Sequence, residues 1–142
     1  MVTAAELLQR KPATLFSIGP DEPVLEAVRL MATHSVGAVL VMKERELAGI
    51  LSERDYARKV VLLRRSSAET PVWQIMSAPV LTVAPDDSLD HCMRLMTEKR
   101  IRHLPVTQAG QVQGMLSIGD LVKAVIDEQR QTIEQLTAYI HT

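Results

Sequence analysis

Aromatic side chains are scarce: among 142 residues there are one Trp, two Tyr and one Phe. A stacking platform for single-stranded nucleic acid needs more rings than this. An excess of basic charge is also missing, because 16 Lys+Arg face 17 Asp+Glu for a net charge of -1. Nucleic-acid binders use such an excess to displace counterions from phosphates, so that class is set aside. With one cysteine, Cys92, the chain has no intrachain disulfide framework and no multi-cysteine zinc site. Its longest apolar runs, such as residues 36–42, fall far short of the roughly 20 residues of a membrane helix. No basic segment leads into an apolar one at the N-terminus, so no signal peptide is expected. These absences describe a soluble intracellular protein, and a cytoplasmic location is the expectation.

Catalytic signatures are equally thin. Neither G-x-G-x-x-G nor a Walker loop occurs, which removes support for a classical dinucleotide fold or a P-loop ATPase. His34, His91, His103 and His141 are scattered, and His91 and Cys92, adjacent in a helical stretch, point about 100° apart. No Ser-His-Asp or Cys-His set emerges from the spacing. The expectation is a protein that is not an enzyme and holds no metal.

What the sequence does contain is a hydrophobic fraction of 46%, enough for a core, and an internal duplication. Shifted by 65 residues, the segments 15–61 and 80–126 align without a gap. Identical pairs include Pro20/Pro85, Asp21/Asp86, Arg29/Arg94, Met31/Met96, Gly49/Gly114, Ser52/Ser117 and Asp55/Asp120. Each copy reads as strand, helix, strand, strand, helix. The strands are expected at 15–18, 38–42 and 47–51, and again at 80–83, 104–107 and 112–116. Amphipathic helices are expected at 24–34 and 89–99, with Val28, Met31, Met93 and Met96 at helical spacing. Second helices start at Ser52 and Ser117. Thr3 opens a short lead-in helix through a Thr-x-x-Glu box, and Thr70-Pro71 reads as the N-cap and first turn of its counterpart at 72–76. The expected organisation is repeat 1 with its lead-in at 1–68, repeat 2 with its lead-in at 69–127, and a helical extension at 128–142. A repeat of roughly 60 residues buries too little surface alone, so the two sheets are expected to pack face to face.

The recurring polar signal is Gly49-Ile-Leu-Ser52-Glu-Arg-Asp55 and Gly114-Met-Leu-Ser117-Ile-Gly-Asp120. It admits two readings. Ser followed three residues later by an acid imitates a capping box, which makes it a helix start and nothing more. Alternatively, the Ser hydroxyl and free amides at a helix N-terminus suit a phosphate, and Asp suits the hydroxyls of a ribose. On that second reading the glycine three residues before Ser lets a ligand approach the strand closely.

Two such repeats, each ending in G-h-h-S/T-x-x-D with h apolar, resemble CBS domains over nearly the whole chain. The segments GILSERDYARKVVLLRRSS, CMRLMTEKRIRHLPV and GMLSIGDLVKAVIDEQ are similar to those of stand-alone bacterial CBS-pair proteins and their plant organellar relatives. The resemblance implies an α+β (α/β) fold of two strand–helix–strand–strand–helix repeats packed as a pseudo-twofold CBS pair, or Bateman module, which usually dimerises into a flat disk. It further implies a regulatory role: an adenosine-containing ligand (AMP, ADP, ATP, NAD(H) or S-adenosylmethionine) in clefts between the repeats, read by an unknown partner protein. No nucleic acid, membrane or catalytic cofactor is implied. The alternatives are a ligand-independent dimerisation module and a nucleotide-processing enzyme.

Carried over by position, the resemblance gives Asp120 the ribose and gives Ser117 with the Gly119 amide the phosphate. Arg102 reaches phosphate oxygens, with Arg100 and His103 beside it; the alternative for the two arginines is a solvated strand end and for His103 a half-exposed sheet residue. Adenine would lie near Leu104 and Val106, and the lead-in 11–16 would close the cleft. Repeat 1 departs from this, with Gly37-Ala38 in place of Arg102-His103 and Arg54 in place of Gly119. Ser52 and Asp55 remain, and Arg54 or Lys59 could take the phosphate, so the two clefts are unequal. In the extension, Val122, Ile126, Gln129, Ile133, Leu136 and Ile140 form a seven-residue seam, either packed on its own domain or paired with a second chain.

Overall fold

The computed structural model describes residues 1–141. In chain order its elements are α1 (Ala4–Gln9), β1 (Ser17–Ile18), α2 (Val24–His34), β2 (Ala38–Lys43), β3 (Glu46–Ser52), α3 (Glu53–Tyr56), α4 (Leu89–Lys99), β4 (His103–Gln108), β5 (Gln111–Ser117) and α5 (Ile118–Ile140). A π turn, Ala57–Val61, continues α3, and a 3-10 turn, Val72–Gln74, lies between the repeats.

The duplication is visible in local structure. Both α2 and α4 occupy the expected ranges, and their buried stripes match in the 65-residue register: Val24, Ala27 and Met31 against Leu89, Cys92 and Met96. Val28 and Met93 are only half-buried, on the flank of each stripe. Each helix stops at a residue in the left-handed region, Ser35 at φ 53° and Arg100 at φ 54°. Arg100 is therefore a helix cap, and the alternative reading of it as a solvated strand end does not hold.

In repeat 1, β1 runs parallel to β2, with Ser17 opposite Leu40, and β2 runs antiparallel to β3, with Ala38 opposite Ser52. A register shift between Val41 and Met42 marks a bulge in this hairpin. In repeat 2, β4 and β5 form a two-stranded sheet. Ala109 at φ 51° and Gly110 at φ 78° turn that hairpin, the doubly left-handed arrangement that suits the twist of two-residue connections. The expected strand at 80–83 reduces to a single parallel bridge between Val83 and Val106. Thr70 is also not a cap: Pro71 takes that position without a side-chain bond, and the Thr70 carbonyl instead accepts the amide of Val24 at 2.8 Å.

Two compact units result, and they do not follow the order along the chain. One gathers residues 1–13 with Thr82–Gln108 and the chain from Gln113 onward; the other gathers Thr14–Leu81 with the hairpin tip Ala109–Val112. Each lead-in thus sits with the opposite repeat. In the first unit α1 joins a core of Leu7, Leu104, Val106, Leu116 and Leu121. In the second, Val72 and Ile75 of the inter-repeat segment join Val39, Val41 and Leu51.

This exchange gives the repeated glycines their role. A Cβ on Gly114 would meet Leu8 Cδ2 at 2.6 Å, and one on Gly49 would meet Met76 Sδ at 2.5 Å and the Ser77 carbonyl oxygen at 3.1 Å. The expected close approach is real, but the group that approaches is a lead-in side chain and not a ligand. Along α5, Leu121 and Ala124 are buried, whereas every described residue from 128 onward is exposed. Among the described residues, no helix is long and apolar enough to cross a membrane.

Candidate functional site

Both Ser-x-x-Asp segments stand where a strand turns into a helix, β3 into α3 and β5 into α5. Both are complete capping boxes. Ser52 Oγ accepts the Asp55 amide at 3.1 Å while Asp55 Oδ2 accepts the Ser52 amide at 3.0 Å. Ser117 Oγ accepts the Asp120 amide at 3.3 Å while Asp120 Oδ2 accepts the Ser117 amide at 2.8 Å. The first helical amide is also taken in each copy, Glu53 N–H by the Gly37 carbonyl at 3.0 Å and Ile118 N–H by the Arg102 carbonyl at 2.9 Å. The second amides, of Arg54 and Gly119, make no hydrogen bond among the described residues. The capping reading is therefore realised twice, and what a ligand could use is what the caps leave over.

The two carboxylates leave different amounts over. Asp55 is 9% exposed. Its Oδ2 also accepts Ser52 Oγ at 3.0 Å, and its Oδ1 accepts Ser77 Oγ at 3.1 Å and faces Lys59 Nζ at 3.2 Å. Lys59 Nζ, expected as a candidate phosphate contact, donates as well to the Ile75 carbonyl at 3.1 Å, which ties its ammonium to Asp55 and to the inter-repeat segment. Asp120 keeps more room. Lys11 Nζ donates to Oδ2 at 2.7 Å and to the Met115 carbonyl at 2.8 Å, while Oδ1 has no partner among the described residues.

Electrostatics separate the groups around Asp120. Burial raises the Asp120 carboxyl, but the Lys11 ammonium and the Ser117 amide outweigh it and hold the group below the usual carboxylate range. His103 at the start of β4 is pushed down, first by burial and then by the positive charges of Lys11 and Arg102, against a smaller pull from Asp120. At neutral pH it is an uncharged imidazole able both to donate and to accept. Arg102 is exposed and, like Arg100 and Arg54, takes part in no ion pair among the described residues.

The structure thus brings Arg102, His103, Ser117, Gly119 and Asp120 together at the N-terminus of α5 and adds Lys11, which the sequence reading had only within a closing segment. The signal for Lys11 was its polar side chain opposite Met76 in the repeat register. Arg100 is the exposed C-cap of α4, two residues before Arg102. In repeat 1, Gly37 and Ala38 lead into β2, Arg54 is exposed on a helix of four residues, and Ser52 and Asp55 are saturated. Near Leu104 and Val106, the Pro105 carbonyl accepts Val83 N–H at 3.0 Å and Thr107 N–H donates back at 2.9 Å, so those two backbone groups are not free to read a base.

Elsewhere, the Cys92 thiol is buried and pushed up to about 11 by burial and the charge of Asp87, which makes it a core residue and not a nucleophile. Among the described residues no three His, Cys, Asp or Glu side chains gather as a metal site would require.

Comparison with known proteins comes to the same architecture. The family model for the CBS domain matches residues 4–62 and 72–127. The mitochondrial CBS domain-containing protein CBSX3 of Arabidopsis thaliana is 46% identical over 125 residues, 84% of this chain, and the chain spans 61% of that relative's length. Among solved structures, a protein with CBS domains from Burkholderia ambifaria MC40-6 superposes with a TM-score of 0.87 at 50% identity, covering 90% of this chain and 96% of that one. The CBS domain protein PAE2072 from Pyrobaculum aerophilum, solved as a complex with AMP, superposes with a TM-score of 0.75 at 27% identity and covers 84% of this chain and 89% of its own.

Proposed function

The chain belongs to the CBS-domain family as a pair of CBS repeats, and from that premise we propose that it is a regulatory module binding an adenine nucleotide (AMP, ATP or NAD(H)) at the N-terminus of α5. The observation that carries this reading is the unspent polar capacity there. The Gly119 amide, Asp120 Oδ1 and the Arg102 guanidinium are all without partners among the described residues; Gly119 and Asp120 lie in the first turn of α5, and the Arg102 carbonyl accepts the first amide of that turn, from Ile118. An amide and a guanidinium suit a phosphate, and a carboxylate oxygen suits a ribose hydroxyl. The AMP found in the Pyrobaculum relative supports the ligand class. Ligand occupancy regulates a partner protein to the extent that the ligand prefers one conformation over another.

Titration of the purified full chain with AMP, ATP and NADH, followed by mass spectrometry of the recovered ligand, tests the proposal. The expected result is saturable binding with the nucleotide returned unchanged. Turnover of the nucleotide would make the protein an enzyme, and no binding of any of the three would leave a module without a nucleotide ligand.

A specific observation also favours self-association. The seam residues Ile133, Leu136 and Ile140 are 62%, 59% and 76% exposed, so the extension does not pack on its own domain over the described residues. Thr142, the last residue of the 128–142 extension, lies outside the described residues. Truncation after Asp127 is expected to weaken a homodimer at least about tenfold, because burying each such side chain is worth about 1.5–3 kcal/mol. Sedimentation of the full and truncated chains over a concentration series measures this, and equal association would remove the extension from the interface.

A further inference from the structure

A carboxylate offers about four lone-pair positions to hydrogen-bond donors. Asp55 has all of them claimed, by the Ser52 amide, Ser52 Oγ, Ser77 Oγ and Lys59 Nζ. Asp120 has two claimed, by the Ser117 amide and Lys11 Nζ, both on Oδ2, and its Oδ1 is open. The difference is written into the repeat register. The positions equivalent to Ser77 and Lys59 are Pro12 and Ala124, neither of which can donate a side-chain hydrogen bond.

We infer that the chain binds one nucleotide, at the Ser117–Asp120 box, and that Asp55 with Ser77 and Lys59 is a closed clamp holding the inter-repeat segment onto repeat 1. The inference rests on the nucleotide-binding reading above. A ribose arriving at Asp55 would have to displace Ser77 or Lys59. Ser77 also exchanges both backbone hydrogen bonds with Ile50, at 2.8 and 3.0 Å, and Lys59 also holds the Ile75 carbonyl. Displacement would therefore loosen the segment whose Val72 and Ile75 complete the core of that unit. Against this loss repeat 1 can set Arg54, whose amide and guanidinium have no partner among the described residues, but no free carboxylate oxygen for a ribose. Gly37, which stands in the place of Arg102, has no side chain to offer as a second phosphate contact.

Calorimetric titration of the full chain with AMP decides the matter. The expected stoichiometry is one AMP per chain. Asp120→Asn is expected to abolish the binding heat, whereas Asp55→Asn keeps the stoichiometry and changes the dissociation constant by less than about threefold, at a lowered melting temperature. Should Asp55→Asn fail to fold, Ser77→Ala serves in its place, since it removes one clamp donor and leaves the capping box intact. Two AMP per chain in the wild type, or loss of binding in Asp55→Asn or Ser77→Ala with binding retained in Asp120→Asn, would overturn the inference while leaving nucleotide binding in place. Absence of any AMP, ATP or NADH binding would overturn both.

Discussion

Arg102→Gln is expected to weaken AMP binding about tenfold to a hundredfold and to leave adenosine binding nearly unchanged. The guanidinium is exposed and has no ion-pair partner among the described residues, so its charge is available to a phosphate. The Arg102 carbonyl accepts the Ile118 amide, which puts residue 102 beside the N-terminus of α5. A guanidinium holds a phosphate by paired, charge-assisted hydrogen bonds worth roughly 1.5–3 kcal/mol, and glutamine cannot reproduce the charge or the fork. Adenosine lacks the phosphate and should not register the change. The structural contribution of residue 102 is its carbonyl, which accepts the Ile118 amide at 2.9 Å and survives the substitution. Arg54→Gln is the control in repeat 1, and calorimetry with both ligands gives the comparison. Equal losses for AMP and adenosine would mean that Arg102 supports the fold or the base. A selective AMP loss confined to Arg54→Gln would move the phosphate site to repeat 1.

Asp120→Ala has the second large effect. Wild type at a nucleotide concentration a hundredfold above its dissociation constant should gain about 2.7 kcal/mol, which for a chain of this size is a rise of about 5–10 °C in melting temperature. The variant should lose nearly all of that rise. It also loses one half of a capping box, which costs about 0.5–2 kcal/mol in the unliganded state. The two effects are separable because one depends on ligand and the other does not. Acid titration gives a further signature. The Asp120 carboxyl is depressed in the folded state, so its contribution is complete above the ordinary aspartate value of about 3.9 and is lost as pH falls through the lower folded value. Asp120→Ala should lack that acid limb. A ligand-induced shift equal to that of wild type would leave Ser117 and Asp120 as a helix cap only.

Much of the local structure was legible in the sequence. Helices α2 and α4 begin and end where the apolar spacing places them, and each hairpin strand lies within a residue of its expected bounds. Such features depend on neighbours three or four residues away in a helix and on alternation in a strand, so a short window carries them. Where a window had several solutions, the reading slipped. Thr70 sits before Pro71 in a pattern that suits a cap, yet its carbonyl is used by Val24, which no local rule anticipates.

The sequence by itself determined the family, the 65-residue duplication and the placement of a Ser-x-x-Asp box at the start of both second helices. Only the tertiary structure decided that each lead-in joins the opposite repeat, that Gly49 and Gly114 make room for Met76 and Leu8, and that Asp55 is saturated while Asp120 is half free. The reason is sequence distance. A capping box closes over three residues and repeats wherever its pattern repeats, and Lys59 lies only four residues from Asp55, whereas Ser77 and Lys11 arrive from far along the chain. Ser77 reaches Asp55 across 22 positions and Lys11 reaches Asp120 across 109, and only folding brings those hydrogen-bond donors to bear on two otherwise identical motifs.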